Sequence, residues 1–263
     1  MKEQGKEKLI GIDAGTGTGI LSILMVSCGV EKVHAIEVNA ETFGVTRKFL
    51  QKVGLAEKIQ IVNGDATIIN LPELKDNKAD ILVSENLSGG LLDEPQYDII
   101  HHLSEFLTPE AQIIPNQAEL YASVAYVNWE GLEPGKNSMA ERRLKPHYVL
   151  SERVKYAEVE SVVKMPIPVI RAQVKVPVET TGPINALLIS TRFRINGLGQ
   201  PIYLEQDAAQ FLGKTSAFKL EEAVYAEKGE IKVSLNYETG RERKFLKFPV
   251  RGNTISLVDT LLK

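Results

Sequence analysis

From Lys8 to Ile114 short apolar runs alternate with stretches long enough to be helices. The runs are Leu9–Ile12, Val33–Ile36, Ile59–Val62, Ile81–Val83 and Gln112–Ile114, and the stretches Ala40–Val53 and Tyr97–Leu107 carry apolar residues at helical spacing. Strand-length and helix-length segments in strict alternation predict a doubly wound α/β unit on a parallel sheet. Beyond Pro115 the period changes to two. Ile231, Val233, Leu235 and Tyr237 alternate with Lys232, Ser234 and Asn236, which predicts a strand with one buried face. Leu187-Ile189-Thr191-Phe193-Ile195 and Leu120-Ala122-Val124-Tyr126 read the same way, and Glu238-Thr239-Gly240-Arg241 reads as a hairpin turn. The chain is therefore expected to hold two domains, 1–115 and 116–263, the second mainly antiparallel and the boundary near Pro115. Gly131–Asn137 reads as a polar loop centred on Pro134-Gly135.

Composition narrows the function classes. The 263 residues are 43% hydrophobic and 25% charged, ordinary for a globular chain. Thirty-one basic against 34 acidic residues leave a net charge of -3, so no nucleic-acid partner is expected. The longest apolar stretch, Ile20–Val30, is broken by Ser22, Ser27 and Gly29 and is too short to span a bilayer. Met1–Lys8 carries charges of both signs and does not read as a secretion signal. No membrane association is expected. The single cysteine, Cys28, can form neither an internal disulfide nor a cysteine metal site, which suits a reducing, cytoplasmic compartment; it reads as a small buried hydrophobe. His34 lies within a strand, His101 and His102 in an amphipathic helix, and His147 in a polar segment, so packing or helix surface accounts for them and no metal is expected. Arg142, Arg143 and Lys145 form a short basic run that reads as a solvated face.

The chemistry concentrates at strand ends. Leu9–Ile12 runs into Asp13-Ala14-Gly15-Thr16-Gly17-Thr18-Gly19, and a helical pattern starts at Ile20. Glycines allow a tight turn and a close ligand approach, and a helix start adds backbone N–H donors. A dinucleotide loop requires Gly-x-Gly-x-x-Gly, whereas these glycines fall at alternate positions with Ile20 in the last place. Glu37 ends the second strand, where a carboxylate accepts from two vicinal hydroxyls. The third strand leads into Asn63-Gly64-Asp65-Ala66, and Asp65 fits turn chemistry equally well. The fourth ends in Ser84-Glu85-Asn86-Leu87, followed by Ser88-Gly89-Gly90-Leu91-Leu92-Asp93-Glu94. Glu85 and Glu94 are also compatible with ordinary surface charge.

Asp-x-Gly-x-Gly-x-Gly resembles motif I of the class I S-adenosylmethionine-dependent methyltransferases. That resemblance implies a Rossmann-like cofactor domain binding S-adenosyl-L-methionine through Asp13, Gly15, Thr16, Gly17, Gly19, Ile20, Leu21, Glu37, Val38, Asp65, Ala66 and Glu85, with Glu37 on the ribose and Asp65 on the adenine amino group. An Asn/Asp-Pro-Pro-Tyr/Phe tetrad, usual in enzymes that methylate adenine bases or amides, does not follow the fourth strand. Instead Glu85 and Glu94, with Gly89 and Gly90 between them, resemble the double-glutamate hairpin of the protein arginine methyltransferases. The resemblance implies catalytic roles for both: two carboxylates suit one guanidinium, which is charged at any workable pH. Leu107–Pro115 resembles the stretch that precedes the family's β barrel, and Ala186–Phe193 one of its central strands. The sequence departs from the family in three places. The first strand is expected to start at Leu9, close to Met1, where the family carries lid helices ahead of motif I; no Thr-His-Trp loop occurs; and no helical dimerisation arm is evident after Pro115, although Met139–Arg143 suits a short helix. Expected partners are a protein or peptide substrate or a small-molecule acceptor, and a homodimer is compatible with the resemblance. A small-molecule methyltransferase and a non-catalytic binding module on the same scaffold remain alternatives.

Overall fold

The computed structural model describes residues 8–129, 148–196, 200–205, 216–240, 246–260 and 262. The chain divides into two compact units. The first takes in Met1–Asn86, Gln96–Asn116 and Ser161–Pro166; the second takes in Leu87–Pro95, Gln117–Glu160 and Ile167–Lys263.

The first unit is a parallel sheet of β1 (Ile10–Ala14), β2 (Lys32–Glu37), β3 (Ile59–Asn63), β4 (Ala79–Ser84) and β5 (Leu107–Ile114), in the order β3-β2-β1-β4-β5. Its helices are α1 (Ile20–Ser27), α2 (Ala40–Lys52) and α3 (Gln96–Leu103). β1 is buried throughout and lies between β2 and β4, with Asp13 opposite Ala35 on one side and Val83 on the other. The strand order reverses there, so the carboxyl ends of β1, β2 and β4 flank the position where open α/β sheets bind ligands. Met25, Val30, Val33, Ala35, Leu50, Ile59, Ile81 and Val83 form a core cluster beneath it.

Local details depart from the sequence expectation at two points. The helix expected over Tyr97–Leu107 ends at Leu103, passes through a 3₁₀ turn at Ser104–Phe106, and β5 begins at Leu107 rather than Gln112. β5 is an edge strand, and an edge tolerates Thr108, Pro109 and Glu110, which disguised it. Cys28 is exposed, not buried. It ends α1 with its N–H on the Leu24 and Met25 carbonyls, and Gly29 follows at φ 96°, so the chain turns outward there.

The second unit contains β6 (Gln117–Tyr126), β7 (Tyr148–Val149), β8 (Val154–Glu160), β9 (Val169–Val178), β10 (Gly182–Ile195), β11 (Ile202–Glu205), β12 (Ser216–Ala226), β13 (Gly229–Glu238), β14 (Leu246–Lys247), β15 (Val250–Arg251) and β16 (Thr254–Asp259). One sheet runs β11-β10-β6-β7, with β12 on β10 and β8 on β6; the other runs β14-β16-β13-β9, with β15 on β16. Pairing is antiparallel except between β13 and β16. β13 keeps the expected alternation, with Ile231, Val233, Leu235 and Tyr237 buried. β6 and β10 do not: in β6 every residue but Tyr121 and Tyr126 is buried. Ala118, Ala122 and Ala125 let neighbouring structure close over both faces, so these strands lack a wet side. The turn after Glu238 does not join a hairpin, because β13 pairs with β9 and β16 while β14 pairs with β16. Gly131–Asn137, Met139–Arg143, Lys145 and His147 lie outside the described residues. Among the described residues no helix is long and apolar enough to cross a membrane.

Candidate functional site

The glycine loop is built by hydrogen bonds between β1, β2 and α2. The N–H groups of Gly15 and Thr16 both donate to the Ile36 carbonyl, at 3.0 and 2.9 Å. Gly15, Gly17 and Gly19 have φ of 79°, 54° and 81°, the left-handed region in which a Cβ is strained. A Cβ on Gly15 would also stand 2.9 Å from Asn86 Nδ2. Thr46 of α2 donates from Oγ1 to the Gly17 carbonyl at 2.6 Å, tying the helix to the loop. Gly19 is the N-cap of α1 and supplies no side-chain acceptor, whereas α2 is capped by Asn39, whose Oδ1 accepts from the Thr42 N–H.

Asp13 holds this loop from within. It is fully buried, and its Oδ2 accepts from Thr16 Oγ1 at 2.7 Å and Ser22 Oγ at 2.6 Å. Burial pushes its carboxyl above the usual range, while the Ser22 and Thr16 hydroxyls pull the other way. Glu37 at the end of β2 is 7% exposed. One of its oxygens accepts from the Gly17 N–H at 2.9 Å and the other from the Asn39 N–H at 2.8 Å. The carboxylate is thereby fixed against the loop while each oxygen retains further acceptor capacity. Ile20 and Val38, immediately after Gly19 and Glu37, are 55% and 68% exposed. Leu21 packs against the core and Ala66 is buried. Asp65 Oδ1 accepts from the Thr67 N–H at 2.8 Å and from its hydroxyl at 2.7 Å, so Asp65 organises the turn after β3. A buttressed glycine loop, a fixed carboxylate one strand away and exposed apolar side chains beside both suit a nucleoside with an attached charged tail.

At the end of β4, Glu85 is exposed. Its neighbours are not. Ser84 is buried and donates to Gln96 Oε1 at 2.8 Å; Asn86 donates from Nδ2 to the Ala14 carbonyl at 2.9 Å and to Ser84 Oγ at 3.0 Å. Thr46, Asn86 and Gln96 escaped sequence reading because their partners lie 29, 72 and 12 residues away.

Leu87–Pro95 belongs to the second unit and contains Glu94, which is also exposed. Gly90 and Leu91 have φ of 68° and 59°. Gly90 donates from N–H to Thr191 Oγ1 at 2.8 Å, and its carbonyl accepts from Tyr237 at 2.9 Å. The Tyr156 hydroxyl stands 2.7 Å from that of Tyr237. Burial pushes both phenols well above their usual range. Ser88 Oγ accepts from the N–H groups of Asp93 and Glu94, at 3.2 and 3.3 Å.

The histidines have structural surroundings. A ring nitrogen of His101 lies 2.9 Å from the Met165 carbonyl, one of His102 lies 2.7 Å from the Ile69 carbonyl, and burial lowers the pKa of His34. Among the described residues no group of three or more His, Cys, Asp or Glu side chains is placed to hold a metal ion.

Residues 12–110 match the family model described as a methyltransferase domain. Protein arginine N-methyltransferase 7 of Drosophila ananassae is 34% identical over 151 residues, and that of Drosophila melanogaster likewise; the match spans 56% of this chain and 22% of each relative. Among solved structures, the Trypanosoma brucei PRMT1 enzyme-prozyme heterotetrameric complex with S-adenosylhomocysteine superposes with a TM-score of 0.69 at 16% identity, covering 86% of this chain and 77% of that one. Arabidopsis thaliana protein arginine methyltransferase 10 gives 0.64 at 18% identity, covering 84% and 77%. Residues 12–110 thus match a methyltransferase domain, carried in a chain that resembles the protein arginine methyltransferases and spans about a fifth of the length of the Drosophila relatives it matches.

Proposed function

We propose that the chain N-methylates guanidinium groups of arginine in a protein or peptide, in the cytoplasm. The observation that carries the reading is the end of β4: an exposed Glu85 set among buried, hydrogen-bonded neighbours, on the same sheet edge as the glycine loop and Glu37. The likeness to arginine methyltransferases from Drosophila supports the choice of acceptor. S-adenosyl-L-methionine supplies an electrophilic sulfonium methyl when bound. Gly15, Thr16, Gly17, Gly19, Ile20 and Leu21 form the loop side of its site, with Asp13 holding the loop from beneath. Glu37, Val38, Asp65 and Ala66 form the nucleoside side.

Glu85, and Glu94 nine residues further along the chain, are the carboxylates of this reading, each suited to bind a guanidinium nitrogen and draw positive charge toward it. Alignment of the reactants supplies the larger part of the rate gain. A homodimer is the assembly proposed, supported by the multi-subunit state of the trypanosomal neighbour.

Calorimetric titration with S-adenosylhomocysteine comes first, with Glu37→Ala as control. Binding at roughly micromolar Kd, lost in the control, is expected. Methyl transfer to arginine-rich peptides should then fall by about 100-fold or more in Glu85→Gln, with cofactor Kd within about three-fold. Unchanged turnover in that variant would sink the reading.

A further inference from the structure

A side-chain hydroxyl just before Glu85 and a backbone N–H just after it converge on one buried acceptor. Ser84 Oγ, before it, and the Asn86 N–H, after it, both donate to Gln96 Oε1, at 2.8 and 3.2 Å. Gln96 opens α3, is 2% exposed, and its Nε2 is buried without a partner among the described residues. Its one engaged atom is therefore the acceptor shared by residues 84 and 86. Asn86 extends the same network to the start of the cofactor loop, through Nδ2 to the Ala14 carbonyl, and fills the space that a Cβ on Gly15 would need.

We propose that Gln96 is a positioning residue for Glu85: it pins the side chain of the residue before the glutamate and the peptide N–H of the residue after it, so that an exposed side chain projects from a held segment. The proposal rests on the reading of Glu85 as a guanidinium ligand. Gln96 touches neither cofactor nor substrate in this scheme. A glutamine with one oxygen shared by two donors and an amide nitrogen without a partner differs from one that merely fills space, because an apolar isostere would fill the volume equally well and leave both donors unmet.

The test uses Gln96→Met, which keeps the volume and removes the acceptor, and Gln96→Glu, which keeps the acceptor and loses no hydrogen bond seen here. Residue-resolved hydrogen exchange at the Asn86 amide, kcat on an arginine-rich peptide and Kd for S-adenosylhomocysteine are measured on the full chain. In Gln96→Met, which leaves both donors to Oε1 unmet, the Asn86 amide should exchange about ten-fold faster and kcat fall about ten-fold or more, with cofactor Kd within about three-fold. Gln96→Glu should restore both protection and kcat. Unchanged protection at Asn86 in Gln96→Met overturns the proposal, as does a fall in cofactor affinity that matches the fall in kcat. If Gln96→Met does not fold, Ser84→Ala removes one of the two donors and should slow kcat without moving cofactor Kd; unchanged kcat there overturns it. A wild-type chain that binds cofactor but methylates no arginine defeats the parent reading instead, and exchange at Asn86 still decides whether Gln96 holds the segment.

Discussion

The two ends of the segment Glu85–Glu94 are held by different means. At the Glu85 end polar side chains do the holding, with Ser84, Asn86 and Gln96 linked by bonds of 2.8 to 3.2 Å in the parallel-sheet unit. At the Glu94 end the backbone itself is held, in the other unit. Gly90 is fixed through its N–H by Thr191 and through its carbonyl by Tyr237, in a conformation that favours glycine. Side-chain bonds fail singly and by degrees when one partner is removed. A backbone pressed into a close-packed niche has no intermediate state, because a Cβ has nowhere to go.

The largest test of that contrast is Gly90→Ala. Its Cβ would stand 2.5 Å from Ile189 Cγ2, at a φ of 68°. A loss of roughly 3 kcal/mol or more in denaturant unfolding is expected, since overpacking and backbone strain add. A midpoint like that of the wild type would show that the niche is soft. Next comes Tyr237→Phe, which leaves the Gly90 carbonyl and the Tyr156 hydroxyl without this partner in a buried place. About 1–3 kcal/mol should be lost. Tyr156→Phe, which leaves the Tyr237 bond to Gly90 in place, should cost less, and equal losses would break the ordering of the ladder.

The smallest effect belongs to another set of side-chain bonds in the parallel-sheet unit, those of Asp13 beneath the glycine loop, and is best seen as a pH dependence. The folded-state pKa of Asp13 is raised by burial, so its contribution to stability is fully present below the usual carboxylate pKa of 3.8 and is lost as pH rises through the folded value. Asp13→Asn keeps an oxygen for Thr16 and Ser22 but cannot ionise. Wild type should therefore lose ground to the variant as pH rises from about 4 to 7, by about 1 kcal/mol. A constant difference across that range, measured by thermal unfolding at several pH values, would remove the desolvation cost from the account.

Legibility followed the range of the interactions. β1 to β4, the glycine loop and the start of α1 lie within a few residues of where the hydrophobic pattern puts them. Glu37 was legible because a residue at a strand end has a position before it has any partner. Asn86 and Gln96 were not, since nothing in Ser-Glu-Asn distinguishes a loop amide from one bonded to a carbonyl 72 residues earlier. The burial of Leu120, Ala122 and Val124 was read, but not that of Glu119 and Ser123 on the opposite face. Glu119 is buried beside Arg192, which holds its carboxyl below the usual range. Likewise the turn at Thr239-Gly240 was legible as a turn, whereas the pairing of β13 with β16 was not.

The sequence by itself determined what depends on neighbours along the chain: the strand–loop–helix order, the left-handed glycines, the carboxylates at strand ends and the alternation of β13. Tertiary structure alone decided which strands lose their wet face, that residue 28 points outward, and which buried amides hold Glu85. Those outcomes are set by desolvation and hydrogen bonding between residues far apart in sequence, and a linear pattern carries no record of who meets whom.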